Sequence, residues 1–207
     1  MKVLVINGSP HLHGCTDRGL RETEATLSAC GIEVERVNIG TQDIRGCIGC
    51  NFYREHGRCV FNDAVNETAP KLAEAAGVIV GSPVYYAGCN GQALAFLDRL
   101  FYSTSTTIDK KMKVGAAVLS SRRAGSTSAF DEINKYFTIS AMPIASSTYW
   151  NEVHGFTAED VEADLEGLQT MRNLGRNMAF MIKAFAAMKD EMPAQERSSF
   201  TSFHTEG

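Results

Sequence analysis

The chain has 207 residues, 44% of them hydrophobic and 21% charged, with a formal net charge of −4. That is enough for one domain with a sizeable core. The acidic balance argues against a nucleic-acid binder, since the basic run Lys110-Lys111-Met112-Lys113 is too short for such a surface and reads as a solvated loop. No apolar run approaches the ~18 residues of a membrane span, no signal peptide is expected ahead of the first strand, and six cysteines read as reduced thiols. The expectation is a cytoplasmic enzyme or carrier.

Val3, Leu4, Val5 and Ile6 form a short apolar run, the pattern of a strand buried on both faces, and it ends at the turn cluster Asn7-Gly8-Ser9-Pro10. Gly14-Cys15-Thr16 then opens a helix carrying Leu20, Ala25, Leu27 and Cys30, closed by Gly31. A strand, a hydroxyl-bearing loop and a helix start in this order make either a phosphate site, with Ser9 and Thr16 as donors, or an ordinary connection. Residues 32–39 alternate with period two and predict a half-exposed strand at a sheet edge. The irregular stretch 44–62, rich in Gly, Cys and aromatics, is long enough to be a functional loop. Residues 63–76 predict a helix that Pro70 kinks or restarts.

Val78-Ile79-Val80 is a second buried strand, and it too ends in Gly-Ser-Pro, at Gly81-Ser82-Pro83. Val84 to Asn90 complete the loop, and a helix follows from Gly91 to about Tyr102. Residues 113–119 predict a third apolar strand, the polar loop Ser120–Ser126 follows, and Ser126 or Thr127 caps a helix through Phe130, Ile133 and Phe137. A weaker strand is expected at 142–150. Thr157 begins a capping-box-like start, and Val161, Leu165, Leu168, Met171, Leu174, Met178, Ile182 and Phe185 predict one long amphipathic helix over 157–189. Residues 1–190 thus form a single domain, with a polar, mobile tail at 191–207.

Strands alternating with helices predict an α/β three-layer, doubly wound, five-stranded parallel sheet of flavodoxin-like order 2-1-3-4-5. In such a sheet a ligand lies beyond the carboxyl ends of strands one and three, where the two Gly-Ser-Pro loops are. The chain has no G-x-x-x-x-G-K-[ST], no G-x-G-x-x-G after the first strand and no G-x-S-x-G elbow. A single phosphate with a flat ring across the loops remains, with Tyr85 and Tyr86 for aromatic contact and Gly88 for close backbone approach.

INGSPHLHGCT at 6–16, CIGC at 47–50, GSPVYYAGCNGQ at 81–92 and SSRRAGS at 120–126 together resemble the NADPH-dependent FMN reductase-like branch of the flavodoxin-like proteins, over about residues 1–150. The resemblance implies FMN, its phosphate held by Ser9, His11, Cys15 and Thr16. It implies a ring bracketed by Pro83, Val84, Tyr85 and Tyr86 near Gly88, with Ser120, Ser121, Arg122, Arg123 and Gly125 toward the pyrimidine edge. It implies a homodimer or higher homo-oligomer, NADPH or NADH as hydride donor, and a small acceptor such as a quinone or free flavin. One of Arg122 and Arg123 would then tune the flavin potential, and Tyr85 or Tyr86 would pack on the ring or donate a proton to the acceptor. The rival readings are a flavodoxin-type electron carrier without catalysis of its own, a flavin-free member of the fold, and an iron–sulfur flavoprotein.

The last rests on Cys47-x2-Cys50-x2-Tyr53-x5-Cys59, which is similar to the cluster segment of iron–sulfur flavoproteins except that tyrosine stands at the third cysteine position. A [4Fe–4S] cluster takes four thiolates, and His56 lacks a usual zinc-ligand spacing from Cys59. No metal is expected. Cys47, Cys50 and Cys59 read as small, buried or half-buried residues under the flavin edge or at a subunit contact.

Overall fold

A computed structural model describes residues 1–196, 199 and 201. Its sheet contains the parallel strands β1 (Lys2–Asn7), β2 (Glu33–Asn38), β3 (Gly77–Tyr85), β5 (Val114–Ser121) and β6 (Glu152–His154), in the order β2-β1-β3-β5-β6. Among the described residues only β4 (Gly88–Cys89) is antiparallel, and it pairs with the end of β3. Counting parallel strands alone, the order is the expected 2-1-3-4-5. Among the described residues no helix is long and apolar enough to cross a membrane.

The apolar run of β1 splits by strand parity into two cores. Leu4 and Ile6 face α3 (Ala64–Glu74), α4 (Gly91–Ser103) and α5 (Ser126–Ile139), among Leu72, Phe96, Leu100, Ile133 and Phe137. Val3 and Val5 face α1 (Cys15–Ala29) and α7 (Leu165–Ala187), among Leu20, Leu27, Met171, Leu174 and Met178. Each such fully buried side chain contributes about 1.5–3 kcal/mol, which explains why a strand buried on both faces carries no alternation. The β2 edge is half-exposed along its length.

Several expectations need correction. The long helix over 157–189 is two helices, α6 (Ala158–Ala163) and α7, broken at Asp164 with φ −80° and ψ 72°. The Asp164 carboxylate caps α7 by accepting from Gly167 N and also accepts from His154 N at 2.7 Å. The break turns Leu165 away from the apolar stripe, leaving it 73% exposed. No strand spans 142–150, which makes one isolated bridge, Ile144 to Gly115. There Ser147 Oγ stands 2.7 Å from both Tyr149 O and Asn151 Oδ1, a local side-chain solution in place of the ladder. The strand itself comes later, at β6.

β3 runs on through Gly81-Ser82-Pro83 into a hairpin with β4, where a plain loop was expected. α3 is continuous from Ala64 to Glu74 with Pro70 inside it, so no restart occurs. α5 is capped by Gly125, at φ 93° and with no side-chain bond, rather than by Ser126 or Thr127. A four-residue helix, α2 (Tyr53–His56), interrupts the 44–62 stretch. Most of the tail expected at 191–207 lies outside the described residues, after a single 3₁₀ turn at Lys189–Glu191.

Candidate functional site

The two Gly-Ser-Pro loops are tied to one another. Gly8 N donates to Gly81 O at 2.8 Å, and Asn90 Nδ2 donates to Gly8 O at 2.7 Å. Asn90 also caps α4 by accepting from Ala93 N, while its own N–H donates to Ser82 Oγ at 3.1 Å. A Cβ on Gly8 would stand 2.8 Å from Ala93 Cβ and 2.9 Å from Gly81 O, so the close approach requires glycine. The repetition in sequence is therefore a repetition in space, at the carboxyl ends of adjacent strands.

These loops border an open cavity of about 970 Å³. At one end α1 begins at Gly14 with no side chain capping it, which leaves the first-turn N–H groups without intrahelical partners at the positive end of the helix dipole. Ser9 is buried and its Oγ accepts from His11 N at 3.1 Å, leaving the hydroxyl proton free to donate. Thr16 Oγ1 lies 2.7 Å from Ser120 Oγ, joining the helix start to the end of β5. Asp17, in the same first turn, would oppose an anion, but its buried carboxylate is paired with Arg36 and Arg21. The Cys15 thiol donates to Gly155 O at 3.4 Å, and burial pushes its pKa up, so it adds no negative charge there.

Pro83, Val84 and Tyr85 form an apolar stretch of the wall, and Ser120, Ser121 and Arg122, from the adjacent strand end where Ser120 is registered beside Pro83, a polar one. Ten of the fourteen residues singled out thus line one cavity: Ser9, His11, Cys15, Thr16, Pro83, Val84, Tyr85, Ser120, Ser121 and Arg122. Four do not. Tyr86 is fully exposed at the tip of the β3–β4 hairpin, where it and Ala87 take φ of 52° and 60°. Such two-residue turns ordinarily take Asn-Gly, so this backbone is strained. Gly88 packs against the Glu132 carboxylate and Gly125 against Ala87. Arg123 lines a neighbouring cavity of about 400 Å³ with Glu152 and His154.

Sequence reasoning missed the segment after β6, where Gly155, Phe156 and Glu159 complete the cavity wall. With the last strand placed at 142–150, this segment was not seen to be another loop at a carboxyl end.

The family model of NADPH-dependent FMN reductase matches residues 1–155. The chain belongs to this family. An iron–sulfur flavoprotein of Methanocaldococcus jannaschii is 35% identical over 192 residues, covering 88% of this chain and 98% of its own. Among solved structures, an NAD(P)H:quinone oxidoreductase from Methanothermobacter marburgensis is 15% identical with a TM-score of 0.63, over 86% of this chain and 96% of that one. A flavodoxin from the domain Archaea is 18% identical with a TM-score of 0.57, over 88% and 99%. These two likenesses show the flavodoxin-like fold. As a family member the chain is an FMN flavoprotein of the oxidoreductase class. The cavity fits FMN: its volume lies at the upper end of the ~300–1,000 Å³ usual for small-molecule sites, and it joins an uncapped helix start to a flat apolar wall.

An iron–sulfur cluster does not fit this FMN reductase-family chain. Cys47, Cys50, Tyr53, Cys59, Arg99 and Tyr102 line a separate cavity of about 20 Å³, little more than the space of one water molecule. Tyr53 packs its ring against Tyr102 at 4.9 Å between centroids. Arg99, 1% exposed, donates Nε and Nη2 to Cys59 Sγ at 3.3 and 3.4 Å and pairs with Asp63 at 2.7 and 2.8 Å. His56 stacks on Phe52 at 3.7 Å and is exposed. Among the described residues no group of three or more His, Cys, Asp or Glu is arranged to hold a metal ion. Cys47, Cys50 and Cys59 do not line the larger cavity, and Cys47 and Cys50 are exposed rather than buried or half-buried.

Proposed function

We propose that the protein oxidises NADPH or NADH through bound FMN and reduces a small acceptor, a quinone or free flavin, acting as a homodimer in the cytoplasm. The observation that carries this reading is the single cavity that joins the uncapped start of α1 to the wall of Pro83, Val84 and Tyr85. FMN supplies the chemistry when bound, accepting hydride from a nicotinamide and passing electrons on. The chain's residues bind and position. Ser9 and Thr16 hydroxyls, with the first-turn N–H groups of α1, would hold the phosphate dianion. Pro83, Val84 and Tyr85 would exclude water from the ring, and Arg122 would offer it positive charge. The exposed aromatics Tyr149, Trp150 and Phe156 support a second subunit near this cavity.

Steady-state oxidation of NADPH and NADH by the FMN-loaded protein, with a benzoquinone and free FMN as acceptors, tests the reading. Acceptor-dependent nicotinamide oxidation supports it. An FMN-loaded protein that turns over neither nucleotide is an electron carrier instead.

A further inference from the structure

β5 and β6 end side by side, with Ser121 registered against His154 and Leu119 against Glu152. Glu152 and His154 are two residues apart on one strand, so their side chains share a face. The Ser121 hydroxyl stands 3.2 Å from His154 Nδ1, and His154 Nε2 stands 3.7 Å from Glu152 Oε1. Ser121 lines the flavin cavity, whereas His154 and Glu152 line the neighbouring cavity of about 400 Å³. The three side chains therefore cross the wall between the two spaces. The base of the imidazole is fixed, because His154 N donates to the Asp164 carboxylate that also caps α7.

Glu152 is the unusual member. Its side chain is 9% exposed, and Oε2 is buried with no hydrogen-bond partner. A buried carboxylate oxygen without a donor is costly. The imidazole stands beside the other oxygen, Oε1, 3.7 Å from His154 Nε2. The charged and titratable groups around His154 are Arg123 from the loop after β5, Tyr149 from the loop before β6, Glu152 from β6, Asp164 from the α6–α7 junction and Glu166 from α7. On the flavin-cavity side stand His11, His13, Cys15, Tyr85, Arg122 and Glu159. None of these bridges the two cavities. His13, for example, is an exposed loop residue against Asp17 and Arg21.

We propose that Glu152, His154 and Ser121 form a proton relay from the second cavity to the flavin cavity, with His154 as the carrier. The proposal rests on the reading of the larger cavity as an FMN site. A hydride brings two electrons and one proton, so the two-electron, two-proton reduction of a quinone needs one further proton. The relay supplies it. A proton from solvent in the second cavity enters at His154 Nε2 beside the Glu152 carboxylate, the Nδ1 proton passes to Ser121 Oγ, and the Ser121 hydroxyl proton leaves into the flavin cavity. A tautomer change and hydroxyl rotation reset the chain. One proton enters, one leaves, and no electrons move along the relay. Glu152 is a positioning residue that acts through His154.

The test compares FMN-loaded wild type with His154→Gln, Ser121→Ala and Glu152→Gln in single-turnover quinone reduction after chemical reduction by dithionite, which needs no nicotinamide. The relay predicts a loss on the order of 10²-fold in His154→Gln, a pH inflection and solvent deuterium effect that vanish with it, and an FMN dissociation constant within about twofold of wild type. His154→Gly would regain rate on addition of imidazole. An unchanged rate and pH profile in His154→Gln overturns the relay, as does a rate loss that tracks weakened FMN binding without imidazole rescue. If wild type binds no FMN, the reading of the cavity fails by itself. The relay is then judged by NMR titration of the apo-protein imidazole: a midpoint moved by both Glu152→Gln and Ser121→Ala supports the coupling, and an unmoved one overturns it.

Discussion

The side-chain amide of Asn90 donates to the carbonyl oxygen of Gly8 at 2.7 Å, across 82 residues of sequence. Its oxygen meanwhile accepts from Ala93 N at the start of α4. One buried side chain thus holds the loop after β1, the loop after β3 and a helix start in one arrangement. Asn90→Ala removes a cap and leaves the Gly8 carbonyl without that donor, at a combined cost of about 2 kcal/mol. For a domain of this size thermal unfolding should reveal this as a midpoint lowered by roughly 4–8 °C, and fluorescence titration should reveal weaker FMN binding. An unchanged midpoint with unchanged affinity would mean the loops hold themselves.

Arg122 and Arg123 are adjacent in sequence but border different cavities. Arg122→Ala should make the flavin midpoint potential more negative by about 30 mV, the equivalent of a tenfold change for a two-electron couple, through lost positive charge at the pyrimidine edge. Arg123→Ala should leave the potential near that of wild type. Equal shifts in the two variants, read by dye-equilibrated reduction, would remove the distinction.

The sheet was legible because burial on both faces leaves an unmistakable mark: uninterrupted apolar runs at Val3–Ile6 and Val78–Val80, each stopped by turn residues. The cavity was legible for a related reason, since Gly8 and Gly81 repeat the same turn chemistry at strand ends that the fold brings together. Other features depend on contacts that sequence spacing does not carry. The break at Asp164 exists because one carboxylate serves both β6 and α7, while the apolar stripe continues through Leu165 as if no break were there. β6 is three residues long and mostly polar in neighbourhood, so hydrophobicity pointed upstream to 142–150 instead. The strained Tyr86-Ala87 turn carries neither Asn nor Gly and gave no hairpin signal. For Arg99, an arginine among Phe96, Leu97, Leu100 and Phe101 reads as an exposed helix position until Asp63 and Cys59 are seen beside it.

The six thiols should separate by accessibility. Cys47 and Cys50 are exposed, and a chromogenic disulfide reagent should modify these two fastest in the native protein. Cys89 is buried, donates to Ala129 O at 3.3 Å, and has its pKa pushed up to about 12 by burial. It should react only after unfolding. Peptide mapping that finds Cys89 labelled under native conditions would contradict the packing of the β3–β4 hairpin against α5.

Acid should weaken the α1–α7 contact in a defined window. Burial alone would raise the Glu22 carboxyl, but hydrogen bonds from Arg172 at 2.5 Å and Arg18 at 2.8 Å hold it below its ordinary pKa. A carboxylate depressed in the folded state contributes stability that is fully present above the unfolded pKa of about 4.3 and is lost as pH falls through the folded value. Glu22→Gln should therefore cost about 1 kcal/mol at neutral pH, and the gap to wild type in urea unfolding should close as pH drops below about 4. A gap independent of pH would assign Glu22 a packing role only.

The central claim is that the cavity between the loops after β1, β3 and β5 holds an FMN that accepts hydride. An anaerobic absorption spectrum of the FMN-loaded protein, before and after one equivalent of NADPH, tests it most directly. The account predicts flavin bands at the start, with no iron–sulfur absorption beneath them, and their loss when the nucleotide is added. A protein that retains no FMN, or whose flavin stays oxidised with both NADPH and NADH yet bleaches with dithionite, would contradict it.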